Sequence, residues 1–336
     1  MKENLLFLIS FFALLTSCQK NGEQYYTIEG NVHGTYYSIM YGTSGDTLSS
    51  DSLTQLFHRF DRSLSTFDSL SVISRINRNE ENVSLDSFFL TVYEKGMEVS
   101  RATEGAFDMT VAPLVNCWGF GFKKQENVTP QMVDSLLELV GYRKVSLVNG
   151  KVIKQDSRMM LDASAIAKGY SCDVVAAYLQ SMGIADFKVE IGGELVVKGK
   201  NPKGEAWRIG ITKPSEENSL FAPELQEIIE ISDCGMATSG NYRQFYYKDG
   251  KRFSHTINPH TGYPAEQSLL SATVIAKDCM SADAYATSFM VMGIDSAFQF
   301  ASQRNDLAAF FIYAEDDAKE KMVVKYTESF KKYLHE

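Results

Sequence analysis

The sequence predicts an α+β fold in which antiparallel sheets are flanked by helices. Three observations carry this. Strand-like segments are joined by tight turns, as at Asn149-Gly150 and Asp249-Gly250, so hairpins dominate the strand connections. Amphipathic helices fall between them irregularly, without the strand–helix alternation of a doubly wound parallel sheet. Hydrophobic residues make up 44% of the chain and charged residues 22%, the balance of an ordinary globular protein.

The chain opens on a leader. Lys2 is basic, and Leu5 to Leu15 is an apolar run interrupted only by Ser10, too short to span a bilayer. It ends in Leu15-Thr16-Ser17-Cys18, which resembles the bacterial lipobox. The expected organisation is a lipoprotein signal peptide over 1–17, lipidation at Cys18, a tether over 18–24 and one continuous domain over 25–336. A plain signal peptide with a chance cysteine is the alternative.

From there the elements follow in order. "YYTIEG" and "TYYSIMYG" pair as strands across Gly30 to Gly34. Residues 51–64 form a helix with Leu53, Leu56, Phe57 and Phe60 on one face. A second helix covers 86–102, with Phe88, Phe89, Val92, Tyr93 and Met97. In "TPQMVDSLLELVG", Thr129 caps, Pro130 takes the first helical position and Gly141 ends the segment. "KVSLVNGKVIK" is a hairpin, and "IAKGYSCDVVAAYLQSMGI" is the longest helix. "FKVEIGGELVVKG", "AWRIGIT" and "LQEIIEIS" read as strands, and "RQFYYKDGKRFSHT" as a further hairpin. "LLSATVIAK" is a strand feeding the helix "SADAYATSFMVMG", and the remainder reads helix, strand, strand.

Charge and cysteine usage narrow the function. Net charge is −9 and no basic run appears, which argues against nucleic acid as a partner. An acidic protein needs a local cation to hold an anionic ligand. Beyond Cys18, the four cysteines lack C-x-x-C spacing, so neither zinc nor a thioredoxin-type motif is indicated, and buried free thiols are expected.

Several stretches carry more than packing requires. In 281–293, Asp283 and Thr287 stand four residues apart and so share one helical face. In "EGAFDMTVAPLVNCWGFG", Asp108 reads as a helix N-cap or as a polar group beside a flat ring ligand. In "LDASAIAKGY", Asp162 and Ser164 lie at a helix start and Lys168 one turn inside. Free amides and a cation there suit a phosphate; capping beside a solvated lysine is the plainer reading. Gly192-Gly193 within "VEIGGELVVKG" suggests a bulge or a close approach of backbone to ligand. His255 precedes the turn-forming "NPHTG".

Taken in order, these stretches resemble the ApbE family, the FAD:protein FMN transferases. "GTYYSIMY" (34–41), "LSTFDSLSVISRIN" (64–77), "GAFDMTVAPLVNCWGFG" (105–121), "LDASAIAKGY" (161–170), "VEIGGELVVKG" (189–199), "ATSGNYRQFYYKDGKRFSHTINPHTGYP" (237–264) and "SADAYATSFMVMG" carry the likeness across nearly the whole domain. The resemblance implies a T-fold-like ApbE architecture. It implies Mg²⁺ held by Asp283, Thr287 and the backbone carbonyl of Ala165, an oxygen set that suits a hard cation. FAD is the implied substrate, contacted by Ala106, Phe107, Asp108, Asp162, Lys168 and Ile257, with His33 and Phe67 also at the flavin. His33 stands where methionine is frequent, and Phe67 where tyrosine or tryptophan is common; both bear on ring stacking.

The implied reaction moves FMN from FAD to a threonine or serine hydroxyl of a partner protein, releasing AMP. His255 is the candidate base. The implied acceptor is a membrane redox subunit. The implied location is periplasm-facing, lipid-anchored, at the inner rather than the outer membrane. Two rivals remain: a FAD pyrophosphatase giving FMN and AMP, which would share every residue named, and a non-catalytic flavin-binding lipoprotein, against which the metal pair argues.

Overall fold

A computed structural model describes residues 24–121, 128–214, 224–241, 245–248, 251–265, 268–315 and 321–335. The expected leader, Cys18 and most of the tether lie outside the described residues. Among the described residues no helix is long and apolar enough to cross a membrane.

The chain begins with β1 (Gln24–Val32) and β2 (Thr35–Thr43), paired antiparallel. Their two-residue turn is His33-Gly34, with φ of 51° and 74°, the left-handed pair that a tight hairpin needs. Three helices follow: α1 (Ser50–Leu64), α2 (Val72–Asn77) and α3 (Ser87–Ala102). Leu53, Leu56, Phe57 and Phe60 make the buried face of α1, as their spacing predicts. Asp86 caps α3 by accepting the Phe89 amide. A 3₁₀ turn at Met109–Val111 leads into α4 (Ala112–Cys117), and Thr129 caps α5 (Pro130–Leu137). β3 (Val145–Val148) and β4 (Lys151–Lys154) form the Asn149-Gly150 hairpin.

The second half supplies the site. The helix α6 (Ser164–Ser181) precedes β5 (Asp186–Ile191) and β6 (Glu194–Lys198). Then come β7 (Trp207–Thr212), β8 (Leu225–Ile231), β9 (Cys234–Gly240), and the paired β10 (Phe245–Lys248) and β11 (Lys251–Ser254). The Asp249-Gly250 turn itself lies outside the described residues. β12 (Leu269–Ala276) runs into α7 (Cys279–Met292), followed by α8 (Ile294–Ser302), β13 (Ala308–Ala314) and β14 (Met322–Tyr326).

Eight strands form the main sheet in the order β1-β2-β5-β6-β9-β12-β13-β14, and every neighbouring pair is antiparallel. The expected α+β class with flanking helices is therefore the class found. One local reading changes. Gly192-Gly193 is not a bulge inside one strand: both residues have positive φ (64° and 102°) and turn β5 back onto β6. The small residues of 234–240 form β9, which pairs β6 on one side and β12 on the other.

Helix α7 is sheathed by protein. All of its residues except Thr287 and Met292 are buried, with α6 on one flank and β9 and β12 against it. Close approach makes this possible. A Cβ on Gly169 would stand 2.3 Å from the Cys279 carbonyl oxygen, and one on Gly235 would stand 2.2 Å from the Cys279 nitrogen. Asp173 of α6 reaches across and accepts the Cys279 and Met280 amides at 2.9 and 2.8 Å, while Asp278 accepts the Ser281 amide at 2.7 Å. The start of α7 is thus capped by two carboxylates, one on the neighbouring helix. Cys117, Cys172, Cys234 and Cys279 are buried free thiols.

Candidate active site

The crossing of α6 and α7 brings the candidate cation ligands together. Asp283 is 3% exposed, and its Oδ2 accepts the Gly169 amide at 2.9 Å. That amide lies four residues after Ala165, about one helical turn on. The carboxylate of α7 thus rests on a backbone amide of α6. One turn along α7, Thr287 shares a 3.2 Å hydroxyl–hydroxyl hydrogen bond with Ser239 of β9. Burial pushes the Asp283 pKa up, against the pull of Lys168 and of the Gly169 amide. Among the described residues no three His, Cys, Asp or Glu side chains gather at one point. The set here is one carboxylate, one hydroxyl and one backbone carbonyl.

The Lys168 side chain is 36% exposed, so it is part solvated, as in the plainer reading, and part engaged. Its ammonium is ion-paired with Oε1 of Glu194, the first residue of β6. Burial pulls the Lys168 pKa down, but the Glu194 and Asp283 carboxylates outweigh it and hold the ammonium above the usual lysine range. Burial pushes Glu194 up to about 7, with Lys168 opposing and Asp283 adding to the rise. Its Oε2 is buried without a hydrogen-bond partner. Sequence reasoning passed over Glu194. The one available signal was an acidic residue directly after a Gly-Gly turn, at the head of a strand whose next residue is apolar.

The other candidates fall into three groups. Asp162 accepts the Ser164 amide at 2.8 Å, and its own amide donates to the Met109 carbonyl at 2.7 Å, which docks the start of α6 onto the 106–110 segment. Burial pushes the Asp162 pKa up. Ala106, Phe107 and Asp108 are all buried. The Phe107 ring belongs to the main apolar core beside Met109. Asp108 Oδ1 accepts from the Thr110 amide and hydroxyl at 2.8 and 2.6 Å, and Oδ2 accepts from the Tyr142 amide at 2.7 Å. The N-cap reading of Asp108 therefore describes its contacts, and burial raises its pKa.

Ile257 and His255 belong to the second group. Ile257 is buried and bridges Pro264 across the turn. Trp118 Nε1 donates to the Gly262 carbonyl at 2.8 Å, and Phe120 meets the His255 ring edge-on at 6.4 Å. The glycine-rich end of 105–121 and the 255–264 loop are thus one unit.

His33 and Phe67 stand apart from each other. Phe67 lies between α1 and α2 and is 76% exposed. The His33 imidazole is taken up by protein: Nδ1 lies 2.7 Å from Asp61 Oδ1, Nε2 lies 2.9 Å from Ser171 Oγ, and the Phe57 and Phe60 rings pack on it. With Nδ1–H donating to the carboxylate, Nε2 accepts the Ser171 hydroxyl. This chain of carboxylate, imidazole and hydroxyl resembles a hydrolytic triad, but Ser171 is 1% exposed and out of reach of a substrate. It joins the β1–β2 turn to α1 and α6.

Comparison with known proteins bears on family and fold. The ApbE family model matches residues 33–311. A FAD:protein FMN transferase of Vibrio cholerae serotype O1 is 36% identical over 98% of this chain and 99% of its own length. Among solved structures, the flavin transferase ApbE from Vibrio cholerae superposes with a TM-score of 0.82 over 93% of this chain and 100% of that one, at 36% identity. The apo form of the Pseudomonas stutzeri flavinyl transferase ApbE gives 0.82 over 93% and 98%, at 30% identity. A family match over most of the chain, on a fold shared with two flavin transferases, places the protein: it belongs to the ApbE family.

Proposed function

We propose that the chain is a FAD:protein FMN transferase that depends on Mg²⁺. The observation that carries the reading is the buried Asp283 carboxylate resting on the Gly169 amide, one residue after Lys168 and one helical turn after Ala165. The names of its relatives support the same activity. Ala165, Asp283 and Thr287 are the residues that would hold the cation. When bound, Mg²⁺ supplies charge neutralisation at the diphosphate oxygens.

The chain's own residues do the rest. Lys168, near the start of α6, binds the diphosphate, where a helix start favours an anion. Asp162 holds that helix start against the 106–110 segment, and Ala106, Phe107, Asp108 and Ile257 shape the wall for the flavin. His33 and Phe67 bear on the placement of its ring. An acceptor threonine or serine oxygen attacks the FMN-side phosphorus. The P–O bond to AMP breaks, and AMP leaves with the bridging oxygen. His255 takes the hydroxyl proton. Such transfer rests mainly on positioning and charge neutralisation.

The experiment is an assay with FAD, Mg²⁺ and a threonine-containing acceptor peptide, reading peptide mass and AMP. Flavinylated peptide with one AMP each supports the transferase. Free FMN with unmodified peptide indicates the pyrophosphatase, and bound, unchanged FAD indicates a binder. The reading extends to the setting: Cys18 lipidated, the domain facing the periplasm from the inner membrane, and a membrane redox subunit as acceptor. The short apolar run ending in "LTSC" supports it.

A further inference from the structure

Glu194 is a charged residue of the site to which the proposed reaction gives no task. It is 4% exposed, its Oε1 holds the Lys168 ammonium, and its Oε2 is buried without a hydrogen-bond partner. That oxygen lies beside the Gly192 turn, where a Cβ would stand 3.5 Å away. A buried carboxylate with half of its hydrogen-bonding capacity unused is costly, so its charge is the feature that remains to be explained. Asp283 is close enough to both partners to raise each of their pKa values. With all three ionised, the groups carry one positive and two negative charges, and the cluster is one unit negative until a cation arrives. A divalent cation reverses the sign. An approaching diphosphate meets repulsion in the first state and attraction in the second.

We propose that Glu194 is a positioning residue that acts through Lys168 to make binding of the flavin nucleotide wait for the cation. It neutralises the Lys168 ammonium, so the diphosphate is held only after the divalent ion has bound. This inference rests on the transferase reading for the identity of the anion. Coupling of this kind is reciprocal: FAD tightens cation binding by the same factor.

The test is calorimetric titration of the full mature chain with FAD at pH 8, above the value of about 7 to which burial pushes Glu194. Each titration is run in Mg²⁺ and in EDTA. For the parent, FAD affinity drops roughly tenfold or more in EDTA. Glu194→Gln keeps the shape and a hydrogen bond to Lys168 but removes the charge. Its affinity in EDTA rises, and the gap between the two conditions closes to about threefold or less. Glu194→Asp keeps the charge and restores the gap. Equal parent affinity in both conditions overturns the proposal, and that measurement needs no variant. Glu194→Gln weakening FAD equally in both conditions also overturns it, because that marks a purely structural residue. A parent that binds no FAD even in Mg²⁺ overturns the transferase reading itself.

Discussion

Gly169→Ala tests whether the α6–α7 crossing sets the site. The added Cβ would lie 2.3 Å from the Cys279 carbonyl oxygen, and ordinary contact begins at 3.4 Å, so the helices must part by about 1 Å. The obstacle is backbone and cannot turn aside. Alanine gains roughly 1 kcal/mol of helix propensity over glycine. Overpacking costs roughly 1–3 kcal/mol. Parting the helices also stretches the 2.9 Å bond from the Gly169 amide to Asp283 beyond hydrogen-bond range, and a bond to a charged group contributes roughly 1.5–3 kcal/mol. The net loss is about 2–4 kcal/mol, or roughly 3–6 °C in Tm for a domain of this size. A 1 Å error at the ligand set should lower transfer about a hundredfold at limiting Mg²⁺. Gly96→Ala in α3 is the control: its Cβ meets Met109 Sδ at 2.2 Å, on a flexible thioether that swings away at small cost. Melting curves and Mg²⁺ titrations of FMN transfer decide. A Gly169→Ala protein with the parent's Tm and cation dependence would refute the reasoning.

Three further outcomes can be measured. Asp283→Ala and Asp283→Asn should both abolish nearly all transfer and most Mg²⁺ affinity. Thr287→Val should cost less and recover partly at high Mg²⁺; parent-like Mg²⁺ titrations for Asp283→Ala would move the cation elsewhere. Asp173 is pushed up to about 7 by burial, against the pull of the Cys279 and Met280 amides. Its folded value lies above the ordinary 3.8, so its stabilising share is complete below that and is lost as pH rises through about 7. The Tm of the parent should therefore fall more steeply between pH 5 and 8 than that of Asp173→Asn; parallel curves would show an ionised Asp173 throughout. Cys18→Ala should leave the protein unlipidated, read as loss from the detergent phase on phase separation, and unchanged partitioning would count against the anchor.

Much of the fold was legible because local signals and burial agree. Periodicity marked α1 and α3, turn chemistry marked the 149–150 hairpin, and Thr129 with Pro130 marked α5. β9 escaped notice because its small residues have little strand preference, and only pairing with β6 and β12 makes it a strand. Helix α2, six residues long, is too short for periodicity to show. In the site, Asp283, Thr287, Lys168 and Asp162 were visible as odd residues in apolar or helix-start settings. Glu194 was not, since the register of a hairpin decides which way its side chain faces. Asp173 was hidden for another reason: the amides it caps lie 106 and 107 residues further along the chain. The partners of His33, Asp61 and Ser171, are long-range in the same way.

The sheathing of α7 separates two kinds of information written in one segment. Ala282, Ala284 and Ala286 sit at 0% exposure in a helix packed against α6 and the sheet, where added volume overpacks the core. They answer to the scaffold whatever the protein does. Under the proposed reading Asp283, held by the Gly169 amide, answers to chemistry instead, and so does Thr287. A relative that had abandoned flavin transfer would still have to keep the alanines in order to fold, while the aspartate and threonine would be free to drift. The alternation of small residues would outlast the activity as a vestige, and the pair between and beyond them is where a living enzyme of this family can be told from a retired one.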